Sequence, residues 1–245
     1  MNLHLRAIER AGLLGICEED GRATVYVAER ADPPPVAGVW EWVPDRDWGT
    51  AWRARIRPVT VGEITIGPPW LVSAADAVVI DPGQAFGTGS HDTTAACVEA
   101  LQRCTIAGKR VLDVGTGSGV LAICAARLGA SHVVALEIDP LAVQAALANA
   151  RLNDAAIDVR HGSTDLVEDE RFDVVVANLD TATIAAVASG LARALAPGAT
   201  LIGSGISAQR SHEAVTALHD TGLAADVGHR GEWCVLVAAE AAPEG

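Results

Sequence analysis

The chain has 245 residues, enough for one full-sized α/β domain with a modest addition but too few for two large domains. Hydrophobic residues make up 50% of it and charged residues 20%, so it can bury a core and is not a disordered chain. Lys and Arg number 18 against 31 Asp and Glu, which gives a formal net charge of −13. This acidic balance argues against direct nucleic-acid binding and favours a basic partner.

The cysteine pattern is typical of a reducing compartment. The cysteines are odd in number and widely spaced: Cys17, Cys97, Cys104, Cys124 and Cys234. They form no CxxC pair and the histidines show no ligand spacing, so we expect no metal site. No apolar run reaches the roughly 18 residues of a membrane span, and charges interrupt the N-terminal region. We therefore predict a cytoplasmic protein without a membrane span.

The first 35 residues predict a small α+β element. A short helix at 5–9 precedes two strands at 13–17 and 24–28, which the turn at Asp20-Gly21 joins into a hairpin. The proline-rich run at 31–35 predicts a stiff linker and a domain boundary.

Residues 36–70 form a segment rich in tryptophan and arginine, which we interpret as an arm. Five of the six tryptophans lie between residues 40 and 70, together with four arginines. Two interpretations stay open: the aromatic side chains pack onto the main domain, or they form a surface that contacts the substrate. The main domain is then residues 71–245.

From residue 92 onwards, helices and strands alternate. We predict helices at 92–104, 118–128, 140–152, 181–195 and 208–220, and strands at 110–114, 132–137, 158–161, 172–177, 200–204 and 234–238. This alternation predicts an α/β fold, a mostly parallel sheet with helices on both faces.

A glycine-rich loop joins the first of these strands to the next helix, in VLDVGTGSG at 111–119. Its glycines, Gly115, Gly117 and Gly119, allow a ligand to approach the backbone closely at the start of a helix. Val120 follows directly, so the spacing departs from the GxGxxG of dinucleotide-binding loops. The loop alone is weak evidence for any one ligand, because dinucleotide-binding proteins also use a glycine-rich loop.

Polar residues end two further strands. Glu137 ends VVALE at a position where a carboxylate can accept hydrogen bonds from both ribose hydroxyls. Asn178 ends FDVVVAN at the same sheet edge, where an amide can orient an amine nucleophile. Each has a structural alternative, a solvated strand end or a helix cap, although Asp139 is the better cap candidate beside Glu137.

These three elements together resemble class I S-adenosylmethionine-dependent methyltransferases, over residues 108–240. The resemblance implies a Rossmann-like, seven-stranded, mostly parallel sheet whose last strand is antiparallel. The final hairpin fits this, because Gly231-Glu232-Trp233 leads into CVLVAAE.

The segment IDPGQAFGTGSHDTTAACVEAL at 80–101 resembles the signature DPGxAFGTGxHxTT of the ribosomal protein L11 methyltransferase (PrmA) family. The resemblance implies S-adenosyl-L-methionine as cofactor. It implies cofactor-binding roles for Thr94, Gly115, Gly117, Gly119, Glu137 and Asn178, joined by the loop residues Phe86, Gly87 and Thr88. It also implies that residues 1–35 are a shortened substrate-recognition element.

Three residues near this implied site have two interpretations or depart from the family. His91 is a general base or, in the interpretation we favour, a residue that holds the loop or caps the next helix. The family usually has Asp at Glu137 and often an apolar residue at Asp180. Asp180 therefore either favours a cationic substrate or caps a helix.

The predicted function is protein N-methylation of lysine or N-terminal amines in ribosomal protein L11 or a related basic protein, with Asn178 as the catalytic residue. The alternatives are a small-molecule N-methyltransferase, a cofactor-binding module without activity, and a nicotinamide enzyme.

Overall fold

The computed structural model describes residues 56–82 and 91–241 in full, and residues 13–19 and 22–27 as strands of the backbone. The predicted helix at 5–9, the linker at 31–35 and the arm's residues 36–55 lie outside the described residues. The chain divides into two compact units, residues 1–55 and 56–245. The domain boundaries expected at 35 and 70 stay predictions.

In the first unit, β1 (Leu13–Glu19) and β2 (Arg22–Val27) form an antiparallel pair. Glu19 lies opposite Arg22, so two residues connect the strands. This confirms the predicted hairpin, although β1 ends two residues later than predicted and β2 begins two residues earlier and ends one residue earlier.

The second unit contains a seven-stranded sheet, which confirms the predicted α/β fold. Its strands are β6 (Arg110–Val114), β7 (His132–Glu137), β8 (Asp158–His161), β9 (Phe172–Asn178), β10 (Leu195–Ser207), β11 (Leu223–Arg230) and β12 (Trp233–Glu240). Their order is β11-β12-β10-β9-β6-β7-β8, and β12 is antiparallel to both neighbours. The chain reverses direction across the sheet between β6 and β9, where open α/β sheets place ligand crevices.

Within the described residues, five helices cover the sheet: α1 (Asp92–Arg103), α2 (Val120–Arg127), α3 (Pro140–Leu152), α4 (Thr181–Ala194) and α5 (Ser211–His219). Three begin at side-chain caps, since His91, Asp139 and Asp180 each accept a hydrogen bond from a backbone N–H of the first turn. Two short 3-10 helices span Thr164–Val167 and Ala208–Arg210.

The strands are buried on both faces, which explains their nearly continuous apolar sequences. In β6, Val111 belongs to one hydrophobic cluster with α1 and α2, and the next residue, Leu112, belongs to the opposite cluster with α4 and α5. Helices therefore lie on both faces, as predicted.

A small sheet of β3 (Val59–Val61), β4 (Ile64–Gly67) and β5 (Val78–Val79) packs into the cluster formed with α1 and α2. No strand is predicted there from the sequence, because strands of two to four residues are too short to show alternation. β11 was also not predicted separately, since polar residues interrupt it at Asp226, His229 and Arg230.

Packing also determines the state of the cysteines. Cys97, Cys124 and Cys234 are buried, Cys104 is partly exposed, and these four are free thiols. Burial raises the pKa of the Cys124 thiol to about 12, so it is unreactive at neutral pH.

In the described part of the chain, no helix combines the length and hydropathy needed to cross a membrane.

Candidate active site

A cavity of about 510 Å³ lies at the carboxyl ends of β6, β7 and β9. It is bordered by the glycine-rich loop, by the residues after β7 and β9, and by Gly205 and Trp233 from β10 and β12. Its charged lining residues, within the described ranges, are Glu137 and Asp180, and no Lys or Arg lines it. The cavity is therefore electrostatically suited to a ligand with positive charge.

The glycine-rich loop forms one wall. The N–H groups of Gly115 and Thr116 both donate to the carbonyl of Leu136, at 2.9 and 3.0 Å, and so tie the loop to β7. Gly115 has φ +73°, and a Cβ there would overlap the side chain of Leu179. Gly115 and Gly117 line the cavity, whereas Gly119 starts α2 and packs against α3.

Asp113, inside the same motif, supports the loop structurally, and the sequence analysis did not single it out. Its side chain is fully buried, and Oδ2 accepts hydrogen bonds from the Thr116 hydroxyl at 2.6 Å and the Ala122 N–H at 3.1 Å. Burial raises the pKa of the Asp113 carboxyl to about 7, against the opposite effect of these hydrogen bonds. Asp113 thus fixes the loop to the first turn of α2, and an acid within an apolar strand is the signal that marks it.

Glu137 lies at the end of β7, on the cavity wall, and is nearly buried. Its Oε1 accepts from the N–H groups of Ile138 and Asp139 at 2.8 and 3.0 Å, and its Oε2 accepts from the Gly117 N–H at 3.0 Å. A carboxylate offers about four acceptor positions, so acceptor capacity remains for a ligand hydroxyl. Glu137 is therefore both a tie to the loop and a candidate ribose acceptor. Asp139, not Glu137, caps the next helix, as expected.

Asn178 ends β9 on the opposite side of the loop. Its Nδ2 donates to the Thr94 hydroxyl at 3.3 Å, while its buried Oδ1 has no hydrogen-bond partner among the described residues. Since a buried acceptor without a partner is costly, this oxygen marks a position where a ligand donor is expected. Thr94 is fully buried behind Asn178 and is not a lining residue, whereas Thr93 is. The cofactor contact of Thr94 stays a prediction.

The remaining wall contains His91 and Asp180, each of which was expected either to cap a helix or to act on the substrate. His91 caps α1 and its ring makes an edge-on contact with Trp233 at 5.1 Å, which supports the capping interpretation. Asp180 caps α4, and its hydrogen bonds to Thr183 hold the pKa of its carboxyl below the ordinary value. Asp180 also lines the cavity, so a cap and a ligand-facing charge coincide in one residue.

Gly205 was also not predicted as a site residue. It lines the cavity with φ +86°, and a Cβ there would overlap the backbone carbonyl group of Leu179. The Leu179 N–H in turn donates to the Ser204 carbonyl at 2.9 Å. Gly205 therefore permits β10 to approach the backbone that carries Asn178.

Phe86, Gly87 and Thr88 lie outside the described residues, so their cofactor-binding roles stay predictions. Within residues 56–82 and 91–241, no group of three or more His, Cys, Asp and Glu side chains is placed to hold a metal ion.

The described residues fit the implied cofactor. Gly115 presents backbone to the cavity at a position where a Cβ would overlap Leu179, Glu137 can accept from a hydroxyl, and Asn178 Oδ1 is a buried acceptor without a partner among the described residues. These three features surround one cavity at the reversal point of the sheet.

Comparison with known proteins identifies the family that the sequence signature resembles. Residues 21–241 match the family described as ribosomal protein L11 methyltransferase (PrmA). A ribosomal protein L11 methyltransferase from Deinococcus radiodurans is 40% identical over an alignment of 255 positions including gaps, which covers 96% of this chain and 93% of the relative. One from Symbiobacterium thermophilum is 41% identical over 206 residues, covering 81% of this chain and 67% of the relative.

A solved structure of ribosomal protein L11 methylase from Lactobacillus delbrueckii subsp. bulgaricus is similar to this chain with a TM-score of 0.69 and 30% identity. The match covers 76% of this chain and 99% of that one. The chain therefore belongs to the ribosomal protein L11 methyltransferase (PrmA) family, and it is an S-adenosylmethionine-dependent methyltransferase.

Proposed function

We propose that this protein methylates amino groups of ribosomal protein L11, at lysine or the N-terminus, with S-adenosyl-L-methionine as the methyl donor. The observation that carries the proposal is the unpartnered Oδ1 of Asn178 in a cavity bordered by Gly115 and Glu137. The match over 96% of this chain to a relative named for L11 methylation supports the substrate.

The residues that would hold the cofactor lie on both sides of β6. Gly115 and Gly117 present backbone, and Glu137 accepts from ribose hydroxyls. Phe86, Gly87, Thr88 and Thr94 are proposed to complete the site. When bound, S-adenosylmethionine supplies an activated methyl group on a sulfonium, so the protein has mainly to align the acceptor amine and exclude water.

Asn178 is the proposed catalytic residue. A lysine amine has an ordinary pKa near 10.4 and is mostly protonated at neutral pH. Partial desolvation in the cavity favours the neutral amine, whose extra proton is released to water before the amine attacks the methyl group, and Asn178 Oδ1 can accept one of the remaining N–H groups. Asn178 Nδ2 donates to the Thr94 hydroxyl, and this orientation leaves Oδ1 to accept from the amine.

The charge of the chain supports a basic protein as the partner. The net charge of −13 and the acidic lining of the cavity attract a cationic acceptor and repel phosphate. We propose that residues 1–35 contribute to recognition of L11, that residues 36–70 are the arm, and that the protein acts in the cytoplasm, where ribosomal proteins are made.

Intact-mass spectrometry of purified L11, incubated with the full chain and S-adenosylmethionine, tests the proposal. We expect enzyme-dependent increments of about 14 Da, the mass of one methyl replacing one hydrogen, and none with Gly115→Arg, whose side chain would collide with Leu179 at the wall of the cavity. An unchanged L11 mass, with cofactor binding intact, would contradict L11 as the substrate. A small amine methylated in its place would favour the small-molecule alternative.

A further inference from the structure

Two asparagines, Asn149 on α3 and Asn153 at its C-terminal cap, bond to residues 79–81, which lead into residues 83–90 of the signature segment. Asn149 and Asn153 are one helical turn apart, so their side chains lie on the same face of the helix. Asn149 is 1% exposed, which is unusual for an amide side chain. A buried amide is retained at low cost only where its donors and acceptor are satisfied.

Asn149 joins two separate parts of the main domain. Its Oδ1 accepts from the Asp81 N–H at 2.9 Å, and its Nδ2 donates to the Ser118 carbonyl at 2.8 Å. Ser118 belongs to the glycine-rich loop, and Asp81 lies two residues before residue 83. The side chain therefore bridges the glycine-rich loop and the start of the signature segment.

Asn153 makes a similar pair of contacts, but on one side only. Its Oδ1 accepts from the Val79 N–H at 2.7 Å, and its Nδ2 donates to the Val79 carbonyl at 2.6 Å and to the Asn149 carbonyl at 2.7 Å. Asn153 thus extends β5 as a neighbouring strand would, without any contact to the glycine-rich loop.

The amide orientation of both residues is determined by their partners. A backbone N–H must face Oδ1 and a carbonyl must face Nδ2, so neither amide can rotate by 180° without two repulsive contacts. Each amide consequently fixes the separation of the groups that it joins.

We propose that Asn149 is a positioning residue that holds the glycine-rich loop at a fixed separation from the segment entering residues 83–90, and thereby sets the affinity for the cofactor. The inference rests on the proposed function, because Phe86, Gly87 and Thr88 are assigned to the cofactor site by that proposal. Asn149 itself does not line the cavity.

Asn149→Asp and Asn153→Asp are matched test variants. In each, one oxygen still accepts from the backbone N–H, while the other replaces Nδ2 and faces a carbonyl oxygen. Only Asn149→Asp breaks the contact with Ser118. Asn149→Ala removes both contacts without introducing a buried charge, and it tests the proposal if Asn149→Asp does not fold.

Three measurements on the full chain separate positioning from general stability. They are the Kd for S-adenosylmethionine by calorimetry, amide hydrogen exchange of residues 115–119 without cofactor, and the free energy of unfolding in urea. We expect the Asn149 variants to raise the Kd by about tenfold and to speed exchange in the loop. We expect Asn153→Asp to lower stability while the Kd and loop exchange stay unchanged.

Equal effects of the Asn149 and Asn153 variants on Kd would overturn the inference, as would Asn149 variants that lose stability but keep both Kd and loop exchange. If the unmodified chain binds no S-adenosylmethionine, the proposed function fails. The exchange measurement then still decides whether Asn149 holds the loop.

Discussion

At the scale of one residue, Asn178 is the proposed catalytic group at the end of β9. Half of its amide is satisfied by Thr94, and the other half is buried without a partner among the described residues. Asn178 is paired with Ser204 of β10, and the preceding residue, Ala177, is also paired with β6. An oriented acceptor of this kind costs stability in the empty site and stabilises a ligand donor when one arrives.

Asn178→Ala should lower kcat on L11 by about 100-fold and change the Kd for S-adenosylmethionine by less than about threefold. The physical reason is that the variant removes the acceptor for the amine but leaves the glycine-rich loop and Glu137 in place. Steady-state kinetics and calorimetry measure the two quantities. Full turnover by Asn178→Ala would show that Asn178 is not catalytic.

Asp113 makes stability depend on pH. Its carboxyl has a pKa of about 7 in the folded chain against an ordinary value of 3.8, so between these values the folded chain binds one proton more than the unfolded chain. The free energy of unfolding should therefore fall as pH rises from 4 to 7, by about 4 kcal/mol from this group. Below that window the contribution of this group is constant.

Asp113→Asn should remove this slope, because an amide at position 113 does not ionise, while its oxygen can still accept from Thr116 and Ala122. Urea unfolding of both proteins at pH 5 and pH 8 measures the difference, and comparing the two proteins cancels the other titrating groups. An identical pH dependence in the two proteins would refute the assignment.

At the scale of elements, the site depends on how closely β10 approaches the segment after β9. The approach is possible because residue 205 is glycine, with φ +86° and the Leu179 backbone directly beside it. A side chain there would displace Leu179 and, with it, Asn178. The hairpin of β11 and β12 adds the other side of this wall, since Trp233 contacts His91.

Gly205→Ala should therefore lower both kcat and the free energy of unfolding, the latter by about 2 kcal/mol or more. Gly222→Ala is the control, because Gly222 has the same φ of +86° but nothing lies within 4 Å of its added Cβ. We expect the control to lose about 1 kcal/mol and to keep its kcat. If both variants keep full kcat, the close approach of β10 does not position Asn178.

At the scale of the whole molecule, the charge is the property that bears on the partner. The chain has an acidic excess, and the described lining of the cavity contains no Lys or Arg. Both properties favour a cationic partner. Such a field changes the rate of encounter with a basic protein more than it changes the chemistry.

Raising the salt concentration should therefore lower kcat/KM on L11 several-fold, because the Debye length falls from about 10 Å at 0.1 M to about 3 Å at 1 M salt. The Kd for S-adenosylmethionine, a small ligand in a cavity, should change less. Initial rates at subsaturating L11 across a salt series measure the effect. A kcat/KM independent of salt would argue against attraction by the acidic surface.

The sequence by itself determined the order of strands and helices from residue 92 apart from β11, the glycine-rich loop, and the polar ends of β7 and β9. These signals are local, since they depend on hydrophobic period and on glycines or caps next to strand ends. His91, Asp139 and Asp180 as helix caps belong to the same class, because a cap bonds within its own first turn.

Only the tertiary structure decided which of these residues meet. Thr94 and Asn178 are 84 residues apart and Asn149 and Asp81 are 68 apart, and their contacts depend on the packing of α1 and α3 against the sheet. The short strands β3 to β5 and the role of Gly205 could not be predicted from the sequence either, because each depends on a neighbour distant in sequence. Local patterns specify elements, whereas contacts between distant residues require the shape of the whole core.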